Sequence, residues 1–268
     1  MPKFAFNING HGTRICKISG GKYNNKYVSF SEISDADDDD LDAYRAFTLL
    51  TLKDHAKFEP SPWLNEDNHG KIQRSCLLTS GAAGSGKSTY IRNFIQNYNT
   101  TFPNNDVFLF SKIIDDSSLK GIKNLITITI NEDLLKEKIE LEEIKDSVCI
   151  FDDVEKIREK KVKEFIYSLM DDIYQNGRHN NITIIASSHI CCGGNQTKTQ
   201  ILESQFITIY PSMGTNYNRI LKEYLGFNNK EIEKIKSLDS RWVTIFRVAP
   251  IIIFTEKQIF FRSDLMTI

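Results

Sequence analysis

The sequence has little of what marks a secreted, membrane-spanning or cross-linked protein. Its five cysteines, Cys16, Cys76, Cys149, Cys191 and Cys192, form no CxxC pair. The odd count and the spacing exclude a disulfide framework and a zinc site. Cys76 and Cys149 sit inside apolar runs and read as small core residues, while Cys191-Cys192 beside Gly193-Gly194 reads as a tight loop. The first ten residues, MPKFAFNING, contain no apolar stretch of signal-peptide type. No run is long enough for a bilayer; the longest candidate, 248–261, is broken by Pro250, Glu256 and Lys257. Neither sign of charge is in excess, with 34 Lys and Arg against 35 Asp and Glu, a net charge of -1. That excludes a uniformly basic nucleic-acid binder and leaves room for a local basic surface. Internal repeats and low-complexity tracts are also missing. The expectation is a soluble, intracellular protein.

What is there is ordinary for a globular chain of 268 residues: 40% hydrophobic and 26% charged. This length fits one large domain, or one domain with a small appendage. Residues 1–70 read as an N-terminal β-rich extension and linker. Three alternating segments, 3–8, 13–19 and 26–33, are separated by glycines. An acidic run, Asp35 to Asp42, then leads into an expected helix over 41–52. The proline-containing stretch 58–71 reads as a linker or edge loop.

Residues 71–268 read as an α/β core. Apolar runs at 75–80, 106–111, 124–130, 147–153 and 181–188 have the length and continuity of buried strands. Helical spacing occurs at 85–98, at 134–145 and from Glu155 to Asn176. Such alternation indicates a mostly parallel sheet with helices on both faces. Towards the end, 215–226 and 230–238 read as short helices, and 241–248 and 251–262 as a closing pair of strands.

The strongest chemical signal is Gly81-Ala82-Ala83-Gly84-Ser85-Gly86-Lys87-Ser88, a full match to GxxxxGK[ST] between a strand and a helix. In such a phosphate-binding loop the glycines turn successive N–H groups inward, and the helix N-terminus adds partial positive charge. Lys87 reaches the β- and γ-phosphates, the Ser88 hydroxyl ligates magnesium, and Thr89 is placed for the α-phosphate. The substrate is read as ATP with Mg2+, since no guanine-specifying motif such as NKxD follows. The second signal is the apolar strand 148–151 ending in Asp152-Asp153, the Walker B form. Asp152 is expected to hold magnesium through water, and Asp153 to polarise the attacking water. Glu155 is the alternative base. FDDVE also reads as an acidic cap for the helix that follows, and Asp153 could serve both ends. Two strand-like segments between the Walker strands suggest the P-loop class with a further strand inserted between them (the ASCE type).

FDDV at 151–154, a helix, NGRHNNI at 176–182 and an apolar strand with a polar tip together resemble the poxvirus-type genome-packaging ATPases of large DNA viruses. These belong to the FtsK–HerA superfamily of ring-shaped DNA motors. The resemblance covers about residues 74–190. It implies hydrolysis of ATP to ADP and phosphate, a ring read as a hexamer, and sequence-independent contact with double-stranded DNA. It also implies a capsid or vertex partner, and a place in the host cytoplasm (the viral factory) or the virion. It places Arg178 as a finger reaching a neighbour's nucleotide; read alone, Arg178-His179 simply neutralise a helix C-terminus. His189 falls where the family often has a Gln sensor, a departure. Some eighty residues before the loop are a second departure; a collar, a vertex-docking module and extra sheet packing are the options. For DNA, Lys156, Lys160 and Lys163 could share one helix face, and the loop 191–199 carries Lys198. Three rivals remain at this point: an AAA-type ATPase acting on a protein client, a small-molecule kinase, and a nucleotide-binding virion assembly protein with little turnover.

Overall fold

A computed structural model describes residues 3–33, 47–65, 74–112, 119–189, 195–213 and 217–268. In chain order the strands and helices begin with β1 (Lys3–Ile8), β2 (Thr13–Ser19), β3 (Tyr27–Ile33), β4 (Leu49–Thr51), β5 (Lys57–Asn65) and β6 (Cys76–Ser80). Then come α1 (Lys87–Thr101), β7 (Val107–Ser111), β8 (Leu125–Thr129), β9 (Val148–Asp152), α2 (Lys160–Asn176), β10 (Thr183–Ser188) and α3 (Asn195–Glu203). The chain closes with β11 (Phe206–Ile209), α4 (Asn229–Lys236), β12 (Val243–Phe246), β13 (Ile252–Thr255) and β14 (Gln258–Phe261).

Ten strands form one sheet in the order β4-β14-β13-β12-β11-β6-β10-β9-β7-β8. The six from β11 to β8 are parallel, and the β12–β14 side is antiparallel. This is the mixed, mostly parallel P-loop sheet that the apolar runs predict. Successive strand residues face opposite cores. Cys149 and Phe151 of β9 join α2 and α4 on one face. Val148 and Ile150 join α1 on the other. Both faces are covered, so these strands read as continuous apolar runs.

The first 65 residues supply a second, antiparallel sheet, β1-β3-β2-β5. It packs over the antiparallel side of the large sheet. Phe6 stacks on Phe261 at 4.2 Å, and Trp63 meets Phe246 edge-on at 5.4 Å. Two expectations fail here. The stretch 58–71 is no simple linker, because 58–65 lies in β5. Its Pro60 and Pro62 are tolerated because β5 is an edge strand. The Pro60 carbonyl accepts a hydrogen bond from Asn97 Nδ2 at 2.9 Å. The expected helix over 41–52 ends instead in β4, where Leu50 pairs with Ile259 and is buried. Its first part, 41–46, lies outside the described residues.

Other boundaries shift for local reasons. Segment 134–145 is not a helix. A short 3-10 turn, Glu132–Lys136, is capped by the Asn131 side chain and stops where Glu137 turns extended. Leu134, Leu141 and Ile144 then pin the rest to the core. The run from Glu155 is likewise broken, because extended Ile157 drops into the core before α2 begins. The closing pair of strands is three, since 251–262 folds back on itself as β13 and β14. Residues 220–224 form a π-type turn rather than an α-helix.

The C-terminal elements are locked by one ion pair. Asn228 and Glu231 form a capping box at the start of α4. Arg262, just after β14, donates to both Glu231 carboxylate oxygens at 2.8 and 3.0 Å and lies 4.1 Å over the Phe227 ring. The Arg262 hydrogen bonds hold the Glu231 pKa below the ordinary glutamate range, against the opposing effect of partial burial. A depressed carboxylate stabilises above its unfolded pKa, and the contribution is lost as pH falls through the folded value. Arg262→Met should therefore cost about 1–2 kcal/mol at neutral pH. The difference from wild type should shrink in acid, as followed by urea unfolding at both pH values.

Candidate nucleotide site

The site forms at the C-terminal edge of the parallel strands, where open α/β sheets place ligands. β10 lies between β6 and β9, in register with both: Ser188 pairs with Ser80, and Ser187 pairs with Asp152. The inserted strand is thus β10, which follows Walker B in sequence, while β7 and β8 lie beyond β9. The Gly81 N–H donates to the Ser188 carbonyl at 3.1 Å, and the Asp153 N–H donates to the Ser187 carbonyl at 3.1 Å. β10 therefore clamps the start of the phosphate loop and the end of the carboxylate strand to one another.

Residues 81–86 connect β6 to α1, and Gly84 and Gly86 have φ of 76° and 105°, the left-handed region. Lys87, the first residue of α1, is buried. Its Nζ donates to the carbonyls of Gly81 at 2.7 Å and Ala82 at 3.3 Å. Burial pushes the Lys87 pKa below the usual lysine range, and Asp153, Asp152 and Glu155 partly restore it. Ala83 and Gly84 are exposed at the tip of the loop, Ser85 is buried, and Ser88 and Thr89 follow Lys87 into α1.

Asp153 sits in the left-handed region at φ 51° and makes no side-chain cap to the turn it starts. Its Oδ2 instead accepts a 2.6 Å hydrogen bond from Lys156 Nζ and lies 3.0 Å from His189 Nε2. Lys156 Nζ is also 2.9 Å from that imidazole nitrogen. Glu155 Oε1 accepts the His189 backbone N–H at 2.6 Å. Both base candidates therefore meet His189, at the tip of β10. Arg178 is not brought to this cluster. It lies in the 3-10 turn Gly177–Asn180, which feeds the N-terminal end of β10, and it is exposed. Six residues of strand put it roughly 20 Å from the loop. Two arginine hydrogen bonds brace that turn, from Arg74 to the carbonyls of Ile173 and Tyr174.

The lysines proposed for DNA do not share one free face. Lys156 precedes α2 and pairs with Asp153, and Lys163 Nζ donates to the Glu155 carbonyl. Lys160 is exposed beside Glu164. Of the expected loop 191–199, residues 191–194 lie outside the described residues, and the rest begins α3, with Lys198 exposed.

Four polar atoms around the site are buried with no hydrogen-bond partner among the described residues: Ser85 Oγ, Asp153 Oδ1, Glu155 Oε2 and Ser187 Oγ. Each such atom costs about 1–3 kcal/mol unless something bonds to it. A phosphate, its metal or an ordered water fits that need. No cluster of three or more His, Cys, Asp or Glu among the described residues could hold a metal. Magnesium here would depend on Ser88, Asp152 and the nucleotide's own oxygens. Sequence reasoning missed Lys156 as a partner of Asp153, although three-residue spacing was a legible hint. It also missed Tyr210 and Arg241, which reach the loop from far along the chain.

No protein-family model matches the chain. The uncharacterized protein V3 of Sputnik virophage is 33% identical over 254 residues, spanning 94% of this chain and 96% of that protein. The chain belongs to the V3 family. Among solved structures, the genome packaging NTPase B204 from Sulfolobus turreted icosahedral virus 2, in complex with ATP-gammaS, aligns with a TM-score of 0.50 at 14% identity. That alignment covers 68% of this chain and 98% of B204. The DNA-packaging ATPase B204 from Sulfolobus turreted icosahedral virus aligns at a TM-score of 0.48 and 15% identity, over 67% of this chain and 96% of that one. The likeness is one of fold, a P-loop NTPase core. V3-family membership and this fold agree with the large-virus resemblance carried by FDDV and NGRH.

The loop geometry separates two glycines. A Cβ on Gly81 would lie 2.6 Å from Tyr210 Cδ2 and 2.7 Å from Ser85 Oγ, and Tyr210 is fully buried. Gly84 has nothing within 4 Å. Gly81→Ala should destabilise by about 1–3 kcal/mol and abolish pyrophosphate binding, through overpacking. Gly84→Ala should cost only about 1 kcal/mol, from its φ alone. Thermal unfolding and calorimetric pyrophosphate titration read both effects.

Proposed function

We propose that this V3-family protein hydrolyses ATP and uses the energy to drive double-stranded DNA into a viral capsid. The observation that carries the reading is the register of β6, β10 and β9. It sets a phosphate loop beside two carboxylates and a strand-tip histidine, on a fold of the viral packaging type. A kinase of the kind that places the two Walker strands side by side would lack β10 between them. The loop amides and Lys87 bind the phosphates. Ser88 and Asp152 would hold Mg2+, which when bound neutralises charge on the β- and γ-phosphates. Asp153 orients the attacking water and takes up its proton, while Glu155 anchors the β10 tip through the His189 amide. His189 holds Asp153 in place from the side. In this reading Asp153 is the base, and Glu155 is a positioning residue.

Arg178 lies too far from its own loop to act there, yet it is exposed at the opposite edge of the sheet. In a ring, read as a hexamer, it reaches the neighbour's nucleotide. A guanidinium so placed is worth on the order of 10³-fold in turnover. Assembly also supplies what a net charge of -1 does not, because a few lysines per subunit are multiplied around a pore. Contact with a capsid or vertex protein, in the viral factory or the virion, belongs to the same proposal. Among the described residues no helix is long and apolar enough to cross a membrane.

Lys87→Ala should abolish hydrolysis, and Asp153→Asn should abolish hydrolysis while ATP still binds. Arg178→Ala subunits titrated into wild-type rings should lower turnover more steeply than their share of subunits. A strictly proportional loss, or normal activity of the pure variant, contradicts the finger role.

A further inference from the structure

The carboxylates flank the phosphate loop on one side only. β10 and β9 lie to that side of β6, and β11 and β12 lie to the other. On the β12 side a cleft of about 120 Å³ opens at the start of α1, lined among others by Lys57, Glu59, Thr89, Arg241 and Trp242. That is room for several waters or a flat ring, and too little for a peptide.

Its walls are organised. Arg241 immediately precedes Trp242 and β12, and its side chain crosses the loop, with Cδ 3.2 Å from where a Cβ on Gly86 would lie. Its guanidinium is exposed and carries no hydrogen bond or ion pair among the described residues. Its backbone N–H donates to Glu256 Oε2 at 3.1 Å, and Glu256 is 3.7 Å from Lys57 Nζ on β5. Trp242 is wedged edge-on between Tyr90 at 5.1 Å and Phe254 at 5.7 Å, so the wall is rigid. Glu59, also on β5, adds a carboxylate acceptor.

A triphosphate whose γ end faces Asp152 and Asp153 must send its α-phosphate and nucleoside out on the opposite flank. Thr89, one residue beyond Ser88, marks that exit and lines this cleft. A free guanidinium plane is a stacking platform for a nucleobase, and a carboxylate accepts from base amino groups or ribose hydroxyls. We propose that this cleft is the nucleoside subsite, with Arg241 stacking on the base and Lys57 and Glu59 of the N-terminal sheet forming its outer wall. The N-terminal sheet then takes part directly in recognising the nucleotide. The proposal rests on the phosphate-loop reading above.

The test compares two ligands on the full chain: ADP, which has a nucleoside, and inorganic pyrophosphate, which does not. Calorimetry with wild type, Arg241→Ala and the double variant Lys57→Ala, Glu59→Gln gives the affinities, with thermal unfolding as the folding control. Arg241→Ala should weaken ADP on the order of tenfold and leave pyrophosphate unchanged. The double variant should weaken ADP alone, by a smaller factor. Equal weakening of both ligands by Arg241→Ala would make Arg241 a phosphate contact and overturn the proposal. So would unchanged ADP affinity in both variants. If wild type binds neither ligand, the phosphate-loop reading fails, and the subsite falls with it.

Discussion

Everything at this site depends on one strand. β10 hydrogen-bonds to β6 on one side and to β9 on the other, and it pairs their last residues. Its Ser188 carbonyl receives the first amide of the phosphate loop, and its Ser187 carbonyl receives the amide of Asp153. Backbone hydrogen bonds of this kind leave little play, so the separation of loop and carboxylates is fixed by the strand spacing of about 4.8 Å per step. Side chains are then added to a rigid frame, as precise chemistry requires. The same strand ends in His189, which touches one base candidate with its ring and the other with its backbone. Any shift of β10 moves all of these together. Because its other end begins beside Arg178, β10 also links the edge that carries the phosphate loop to the edge that carries Arg178.

The N-terminal sheet is joined to this frame rather than appended to it. Its aromatic residues fill the same core as α1 and the antiparallel strands. β4 even completes the large sheet's edge by pairing with β14. Burial on this scale, with stacked rings such as Phe6 on Phe261, makes separate motion of the two sheets costly. Its β5 residues Lys57 and Glu59 line the cleft at the start of α1, on the side of β6 away from Asp152 and Asp153.

Much of this was legible in the sequence. Four of the apolar runs became β6, β7, β9 and β10 because buried strands need no alternation, while the fifth, β8, is a half-exposed edge strand whose Leu, Ile and Thr residues favour extended chain. The phosphate loop and the Asp152-Asp153 pair were legible because their spacing is local. What the sequence concealed was non-local. That β10 lies between β6 and β9 depends on pairing across the sheet. Arg241 meets Gly86 only because β12 lies two strands from β6. The strand role of β5 was hidden by Pro60 and Pro62, which an edge strand accepts and a central one does not. The false helix over 134–145 had the right spacing for three core contacts. Those contacts are made instead by a 3-10 turn and irregular chain, because Glu137 turns extended. Lys156 read as one of a row of solvated lysines, yet it is the counter-ion of Asp153.

In the proposed function, ATP turnover at this site is coupled to DNA through assembly. The most direct measurement is the ATP hydrolysis rate of the full chain, with and without linear double-stranded DNA, across fractions separated by particle mass. Turnover should concentrate in ring-sized particles and rise severalfold with DNA at low salt. The stimulation should fade as salt is raised, since counter-ion release drives such contacts. A monomer that hydrolyses ATP at full rate, with no response to DNA, would contradict this coupling.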